Sequence, residues 1–221
     1  MIDRFVVAVD VVCFALDESR LKVLVVQRRE PPFAGMWALP GGIVRGDESL
    51  DEAAERVLSD RTRLAIKYLE QLYTFGEPAR DPRSRAIAVA YYALLPTLPS
   101  EATSGENVDA ISWQPVDELP SLAFDHARTI HYALRRIQQK LWYTPIVFRL
   151  LPETFTFGDI RRVFEVLEGK QYPHLSNFQT QVRAHWALEP VPGAFDVGSE
   201  ARLVAVDRLG EGRRVGAGRR H

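Results

Sequence analysis

Residues 42–64, GIVRGDESLDEAAERVLSDRTRL, place Glu48, Glu52, Glu55 and Asp60 in one short segment with Arg45, Arg56 and Arg61. Carboxylate oxygens are ligands for hard divalent cations. Guanidinium groups pair with phosphate oxygens instead. On a helix, positions 57, 60 and 61 are three to four residues apart and share one face. Val57 offers no oxygen there, Asp60 has a short reach, and Arg61 brings a fixed positive charge. Glu52 and Glu55 read as a solvated face paired at i, i+4 with Arg56 and its neighbours.

Gly42, Glu48 and Arg56, with Leu58 and Leu64 as aliphatics and WALPGG (37–42) before them, resemble the first half of the Nudix box. That box reads G-x5-E-x7-R-E-U-x-E-E-x-G-U, U being a bulky aliphatic residue. Its three clustered glutamates fall on Val57, Asp60 and Arg61, and its second glycine on Arg63. The resemblance implies a mixed sheet sandwiched by helices. It also implies a relation to hydrolases that use Mg²⁺ or Mn²⁺ to cleave a nucleoside diphosphate linked to another group. With two of three ligand positions lost, the expectation is no catalytic residue, no metal and no cofactor. Arg28, Arg45, Glu48, Arg56 and Arg61 become candidates to hold a pyrophosphate, and Trp37, Tyr73 and Phe75 candidates to stack on an adenine.

The surrounding chain must position these groups. With 221 residues, 46% of them hydrophobic, it can bury a real core in one or two domains. A formal net charge of −1 argues against a strongly basic nucleic-acid protein but allows a basic patch. Cys13, the single cysteine, sits in an apolar run and reads as a small buried strand residue in a reducing compartment. No membrane span or signal peptide is indicated, so a cytoplasmic protein without membrane attachment is expected. Strands are expected at 4–16, 21–28, 66–75, 85–95 and 109–113. Residues 31–42 read as a loop, and Asp47 or Ser49 can cap a helix over about 50–61. The segment ISWQPVDELPSLAFDH (111–126) resembles the closing strand and aspartate–histidine helix start of Nudix proteins. It leads into a helix at 126–141 with Ile130, Leu134 and Ile137 on one face.

From residue 142 the pattern changes. YTPIVFRLLP reads as a short apolar helix or turn. Thr156 can cap a helix with Ile160, Val163, Phe164 and Leu167 as its apolar stripe and Gly169 as its stop. A second helix is expected near Ser176, with Phe178, Val182 and Trp186 at i, i+4 and i+8, followed by two strands joined by DVGS (196–199). Helix, helix and hairpin is the order of a winged helix. A degenerate Nudix half before a winged helix resembles the Nudix-related transcriptional regulators of bacterial NAD metabolism, the NrtR family. The resemblance implies an α+β chain: a Nudix α/β/α sandwich with a mixed sheet at 1–141, its linker helix at 126–141, and a winged helix-turn-helix at 142–208. Residues 209–221 form a basic tail read as disordered. It further implies a homodimeric repressor that binds operator double-stranded DNA and senses ADP-ribose or a related NAD-derived effector. Lys170, His174, Asn177, Gln179, Thr180, Gln181 and Arg183 are the expected DNA contacts. The C-terminal half is only mildly positive, with eleven Lys or Arg against nine Asp or Glu from 142 onward. The family's usual wing strand is replaced by GSEARLVAVD. Two alternatives remain open: a metal-dependent hydrolase using Glu48, Glu52, Glu55 and Asp60, and a regulator sensing a pentose or other sugar.

Overall fold

Valine-rich β-branched runs make the frame of the N-terminal half. In the computed structural model, which describes residues 5–17, 19–64, 66, 69–99, 102–195 and 201–206, they form strands β1 (Val6–Asp17) and β2 (Arg20–Arg28). Two short strands follow, β3 (Trp37–Ala38) and β4 (Gly41–Ile43). After helix α1 (Leu50–Thr62) come β5 (Glu70–Phe75), β6 (Ala86–Leu95), β7 (Val108–Pro115) and helix α2 (His126–Lys140). Among the described residues these seven strands make one sheet, in the order β3-β2-β1-β6-β5, with β4 on β1 and β7 on β2. The β3 strand lies inside the expected 31–42 loop, and β4 begins within it and runs one residue past its end. Runs of two and three residues are too short to display a period, so only their pairing, Gln27 with Trp37 and Val9 with Gly42, defines them.

Alternate residues of β1, namely Val9, Val11 and Cys13, pack beneath Ala53, Ala54, Val57 and Leu58 of α1. This is the period of 2 on a strand meeting the period of 3.6 on a helix. Val57 therefore points into the core, 1% exposed. It packs so closely on Gly42 that a Cβ there would lie 2.8 Å from a Val57 methyl. Burial raises the Cys13 thiol to about 12, which leaves it inert at neutral pH.

Both ends of α1 are closed by specific bonds. The Ser49 hydroxyl accepts from the Glu52 N–H, and the Glu52 carboxylate accepts from the Ser49 N–H, a capping box. At the other end the carbonyls of Asp60, Arg61 and Thr62 accept from the N–H groups of Glu106, Gly105 and Thr103. Those carbonyls would otherwise lack helical donors. Gly105 is required there, because a Cβ would stand 1.8 Å from the Asp60 oxygen.

The described residues divide into two compact units. One holds residues up to Phe14, Lys22–Leu94 and Leu98–Leu134, and the other holds Ala15–Leu21, Leu95–Thr97 and the chain from Arg135 onward. The second unit contains a 3-10 turn (Pro145–Leu150), α3 (Phe157–Glu168), α4 (Leu175–His185), β8 (Ala187–Phe195) and β9 (Ala201–Val206). Thr156 and Asp159 form a capping box on α3, and Gly169 ends it at φ 63°. Its expected stripe of Ile160, Val163, Phe164 and Leu167 is buried. Phe178 and Val182 are the buried residues of α4. Trp142 joins this core, 4.4 Å from Phe164 and stacked 6.1 Å from Trp186, while its indole N–H donates to Glu168. β8 and β9 pair antiparallel, and Phe155 exchanges backbone bonds with Leu203 at the edge of the hairpin. A mixed sheet with helices followed by a helix-turn-helix and hairpin is the α+β architecture expected. The DVGS connection and the basic tail at 209–221 lie outside the described residues.

Candidate functional site

A cavity of about 730 Å³ opens in the first unit, bounded by β1, β2, β4, α1 and the loops 28–31, 80–83, 106–108 and 124–126. Its lining includes seven guanidinium groups, Arg28, Arg29, Arg45, Arg56, Arg61, Arg80 and Arg83, beside carboxylates such as Asp10, Asp60 and Asp81. Four of these are matched by carboxylates. Arg29 pairs with Asp109, Arg56 with Glu48 and Asp60, Arg80 with Asp10 and Asp125, and Arg83 with Asp81. The other three, Arg28, Arg45 and Arg61, have no carboxylate ion pair among the described residues. Arg28 donates to the carbonyls of Glu30 and Pro32. Arg61 donates to the carbonyls of Gly41 and Glu106, at 3.4 and 2.7 Å. Burial and the nearby positive charges of Arg83 and Arg61 pull the Arg28 pKa below its ordinary value. Such convergence of like charge favours an anion that can neutralise it.

Three of the carboxylates that a divalent cation could draw on, Glu48, Glu52 and Asp60, are engaged elsewhere. Glu48 accepts two bonds from Arg56, at 2.5 and 2.7 Å, and one from the Arg45 N–H at 2.8 Å. The Arg56 side chain, with the backbone of Arg45, holds the Glu48 carboxyl down at about 2. Glu52 is the capping-box residue of α1 rather than a partner of Arg56, and its carboxyl is lowered by the Ser49 bonds. The signal was present in the sequence as S-x-x-E. Asp60 faces Arg56 at 3.5 Å, and Val57 is in the core. Among the described residues there is no group of three or more His, Cys, Asp or Glu that could hold a metal ion. The residues present do not fit the metal site of a hydrolytic Nudix box.

A lowered carboxyl pKa stabilises the folded state at neutral pH, and that contribution fades as pH falls from the ordinary glutamate range toward the folded value. Glu48→Gln should therefore melt below the wild type at pH 7, and the gap should close between about pH 4.5 and 2. Melting curves across that range check it; a gap independent of pH would mean the Arg56 pairing is not its source.

The far wall is a buried ionic cluster. Arg80 lies between Asp10 and Asp125 at 3.1 and 2.8 Å, and its side chain is 5% exposed. His126 accepts the Leu39 N–H on Nδ1, which leaves its Nε2 proton facing Asp10 at 3.5 Å. Burial alone would raise the Asp10 carboxyl, but His126 and Arg80 outweigh it and hold the pKa low. Beside the cluster, Phe124 packs under the guanidiniums of Arg28 and Arg83, 4.9 and 5.8 Å from its ring centre.

Of the ligand residues expected from sequence, Arg28, Arg45, Arg56 and Arg61 line this one cavity, and Glu48 braces Arg56 from behind. Trp37 lies in β3 opposite Gln27, outside the lining. Phe75 is 3% exposed and sits in an aromatic cluster with Tyr73 and Tyr132. The sequence reading missed Arg80, Arg83, Phe124 and His126. The only local hint was the Asp125–His126 helix start.

In the second unit, the crevice at the turn between α3 and α4 has about 250 Å³ and is lined in part by Lys170, His174, Asn177 and Gln181. Thr180 is exposed and returns its hydroxyl to the Ser176 carbonyl, while Gln179 is half-buried. Arg183 lays its guanidinium over the Phe157 ring at 4.7 Å, and Lys170 lies over Tyr172 at 4.8 Å. On α4, Asn177, Thr180, Gln181 and Arg183 are exposed while Phe178 and Val182 are buried. No helix among the described residues is long and apolar enough to cross a membrane.

Residues 5–137 match the NUDIX domain family and residues 143–189 match the AraR C-terminal winged HTH domain, so the chain is a Nudix domain followed by a winged helix-turn-helix. The NrtR of Shewanella oneidensis superposes with a TM-score of 0.75 at 35% identity, over 89% of this chain and 92% of that one. The chain belongs to the Nudix-related transcriptional regulators of the NrtR family. The Shewanella protein has also been solved with a 27mer DNA (TM-score 0.75, 34% identity, 89% of this chain and 91% of that one). Its NUDIX domain has been solved with ADP ribose (TM-score 0.57, 37% identity, 62% and 90%). The ADPR responsive transcriptional repressor NtrR of Acinetobacter baylyi is 32% identical over 165 residues, 73% of this chain and 66% of that protein. An ADP-ribose pyrophosphatase of Methanocaldococcus jannaschii is 33% identical over 118 residues, 53% and 69%. The chain thus spans about two thirds of the length of these two curated relatives.

Proposed function

We propose that this protein is a dimeric transcriptional repressor of the cytoplasm whose Nudix unit binds ADP-ribose, or a closely related NAD-derived metabolite, without cleaving it. The observation that carries the reading is the set of Arg28, Arg45 and Arg61 in one cavity with no carboxylate ion pair among the described residues. A diphosphate supplies the missing negative charge, and Arg61 takes the part that a divalent cation plays in a hydrolase. The winged unit reads an operator through Lys170, His174, Asn177, Gln179, Thr180, Gln181 and Arg183, two copies matching two half-sites. Effector binding alters DNA affinity to the extent that it favours one dimer geometry over another. Helix α2, which begins at the cavity-lining His126, is the proposed lever. Genes of NAD metabolism are the proposed targets.

Phosphorus NMR of ADP-ribose with stoichiometric protein tests the reading. Shifted or broadened diphosphate signals, with no product whether or not Mg²⁺ is present, are expected. Metal-dependent release of AMP and ribose 5-phosphate would favour the hydrolase, in line with the similarity to the M. jannaschii pyrophosphatase. Absence of any effect would turn the search toward a pentose effector.

A further inference from the structure

In the second unit, helix α4 offers a partner only a few kinds of chemical group. Asn177, Thr180 and Gln181 stand at i, i+3 and i+4, so they share one face of the helix, and all three are exposed. Asn177 and Gln181 also line the crevice at the turn between α3 and α4. Their carboxamides form no hydrogen bond among the described residues. The Thr180 hydroxyl donates to the Ser176 carbonyl at 3.0 Å, one turn back, which leaves its methyl as the group it can offer. The other polar side chains of the helix are committed within the unit. Arg183, the one Lys or Arg of α4, lies over the Phe157 ring at 4.7 Å. His185 donates from Nδ1 to the Gln181 carbonyl at 2.9 Å, with its ring 5.4 Å from that of Trp142. Gln179 is half-buried, and α4 contains no Asp or Glu.

Each base edge in the major groove asks for a different group. Guanine is read by Arg or Lys, cytosine by a carboxylate, adenine by the two-armed carboxamide of Asn or Gln, and thymine by apolar contact with its methyl. Helix α4 has no carboxylate, and its single guanidinium is held at Phe157, so the two carboxamides and the threonine methyl are what its exposed face presents. All three match A·T pairs. We infer that Asn177, Thr180 and Gln181 determine sequence in the operator, and that each half-site they read is a run of about three A·T base pairs, the span that one helix reads with side chains a turn apart. Asn177 and Gln181 each take an adenine, and Thr180 takes a thymine methyl. The inference rests on the operator reading above and assigns base identity within it. Lys170, His174 and Arg183 remain as partners of the phosphate backbone, which fixes register and carries no sequence.

Selection of bound duplexes from a random-sequence DNA pool by the full chain, with and without ADP-ribose, tests it. The wild type should enrich a sequence whose contacted core is A·T. Asn177→Ala and Gln181→Ala should each weaken binding of the selected duplex about 5- to 150-fold, the discrimination that one two-armed base contact supplies, and each should relax the base preference at one position. Gln181→Arg should exchange adenine for guanine at the position that Gln181→Ala relaxes, a gain that a damaged fold does not give. A selected core of G·C pairs, or a base preference unchanged in both alanine variants, would overturn the inference while leaving the operator reading intact. Enrichment of no sequence under either condition would overturn both.

Discussion

Arg80→Ala should destabilise the Nudix unit by about 3–5 kcal/mol, because it strands two acids that Arg80 now joins. Asp10 is 5% exposed and Asp125 is partly buried, and the guanidinium reaches both within 3.1 Å. The pair itself need not be strongly stabilising, since each charge loses hydration on burial. Removing one partner is different, because the other charge stays buried without compensation. A fall in melting temperature of roughly 10 °C is the expected readout. The pH dependence has a definite sign. The Asp10 pKa is lowered in the folded state, so in the wild type its contribution is present at neutral pH and is lost on acidification below the ordinary carboxylate range. In Arg80→Ala that acid loss should shrink. A variant that melts with the wild type would mean the two aspartates are hydrated or re-paired. Arg80→Lys, which keeps the charge but not the two-armed geometry, should fall between the two.

Arg61→Glu should weaken ADP-ribose binding in metal-free buffer by at least about 100-fold, the largest effect on ligand affinity expected at the α1 end. The exchange moves the local charge by two units beside Arg28, whose own cation already feels Arg61. It also removes the donor that ties the Gly41 and Glu106 carbonyls together. Arg61→Gln should lose less, since it keeps a donor and removes only the charge. If Mg²⁺ restores affinity to Arg61→Glu and not to the wild type, the guanidinium stands where a cation stands in hydrolytic relatives. Unchanged affinity in Arg61→Glu would sink the substitution idea.

Much of the fold was legible because it is local. The valine-rich runs of β1 and β2, the cap at Ser49, the stripe of α3 and its Gly169 stop depend on residues adjacent or a few positions apart. The same holds for the side chains at positions 57, 60 and 61, which are read on a single helix. Glu52 was locally legible too, through the S-x-x-E pattern, but an i, i+4 partner in Arg56 competes with that reading. Which aromatic residue lines the cavity was not legible. Phe75 and Phe124 are the same residue type, and only the sheet turns one into the cluster with Tyr132 and brings the other beside Arg28.

The sequence by itself determined a Nudix-like sheet and helix, a winged-helix tail, and the placement of Val57, Asp60 and Arg61 where the Nudix box has glutamates. Tertiary structure alone decided which charges meet. Arg80 joins Asp10 and Asp125 across 70 and 45 residues, Arg61 finds the Glu106 carbonyl 45 residues away, and Phe124 reaches Arg28 across the sheet. No periodicity encodes such pairings, because they depend on how strands and loops distant in the chain are stacked, and a cavity is the space those elements leave between them.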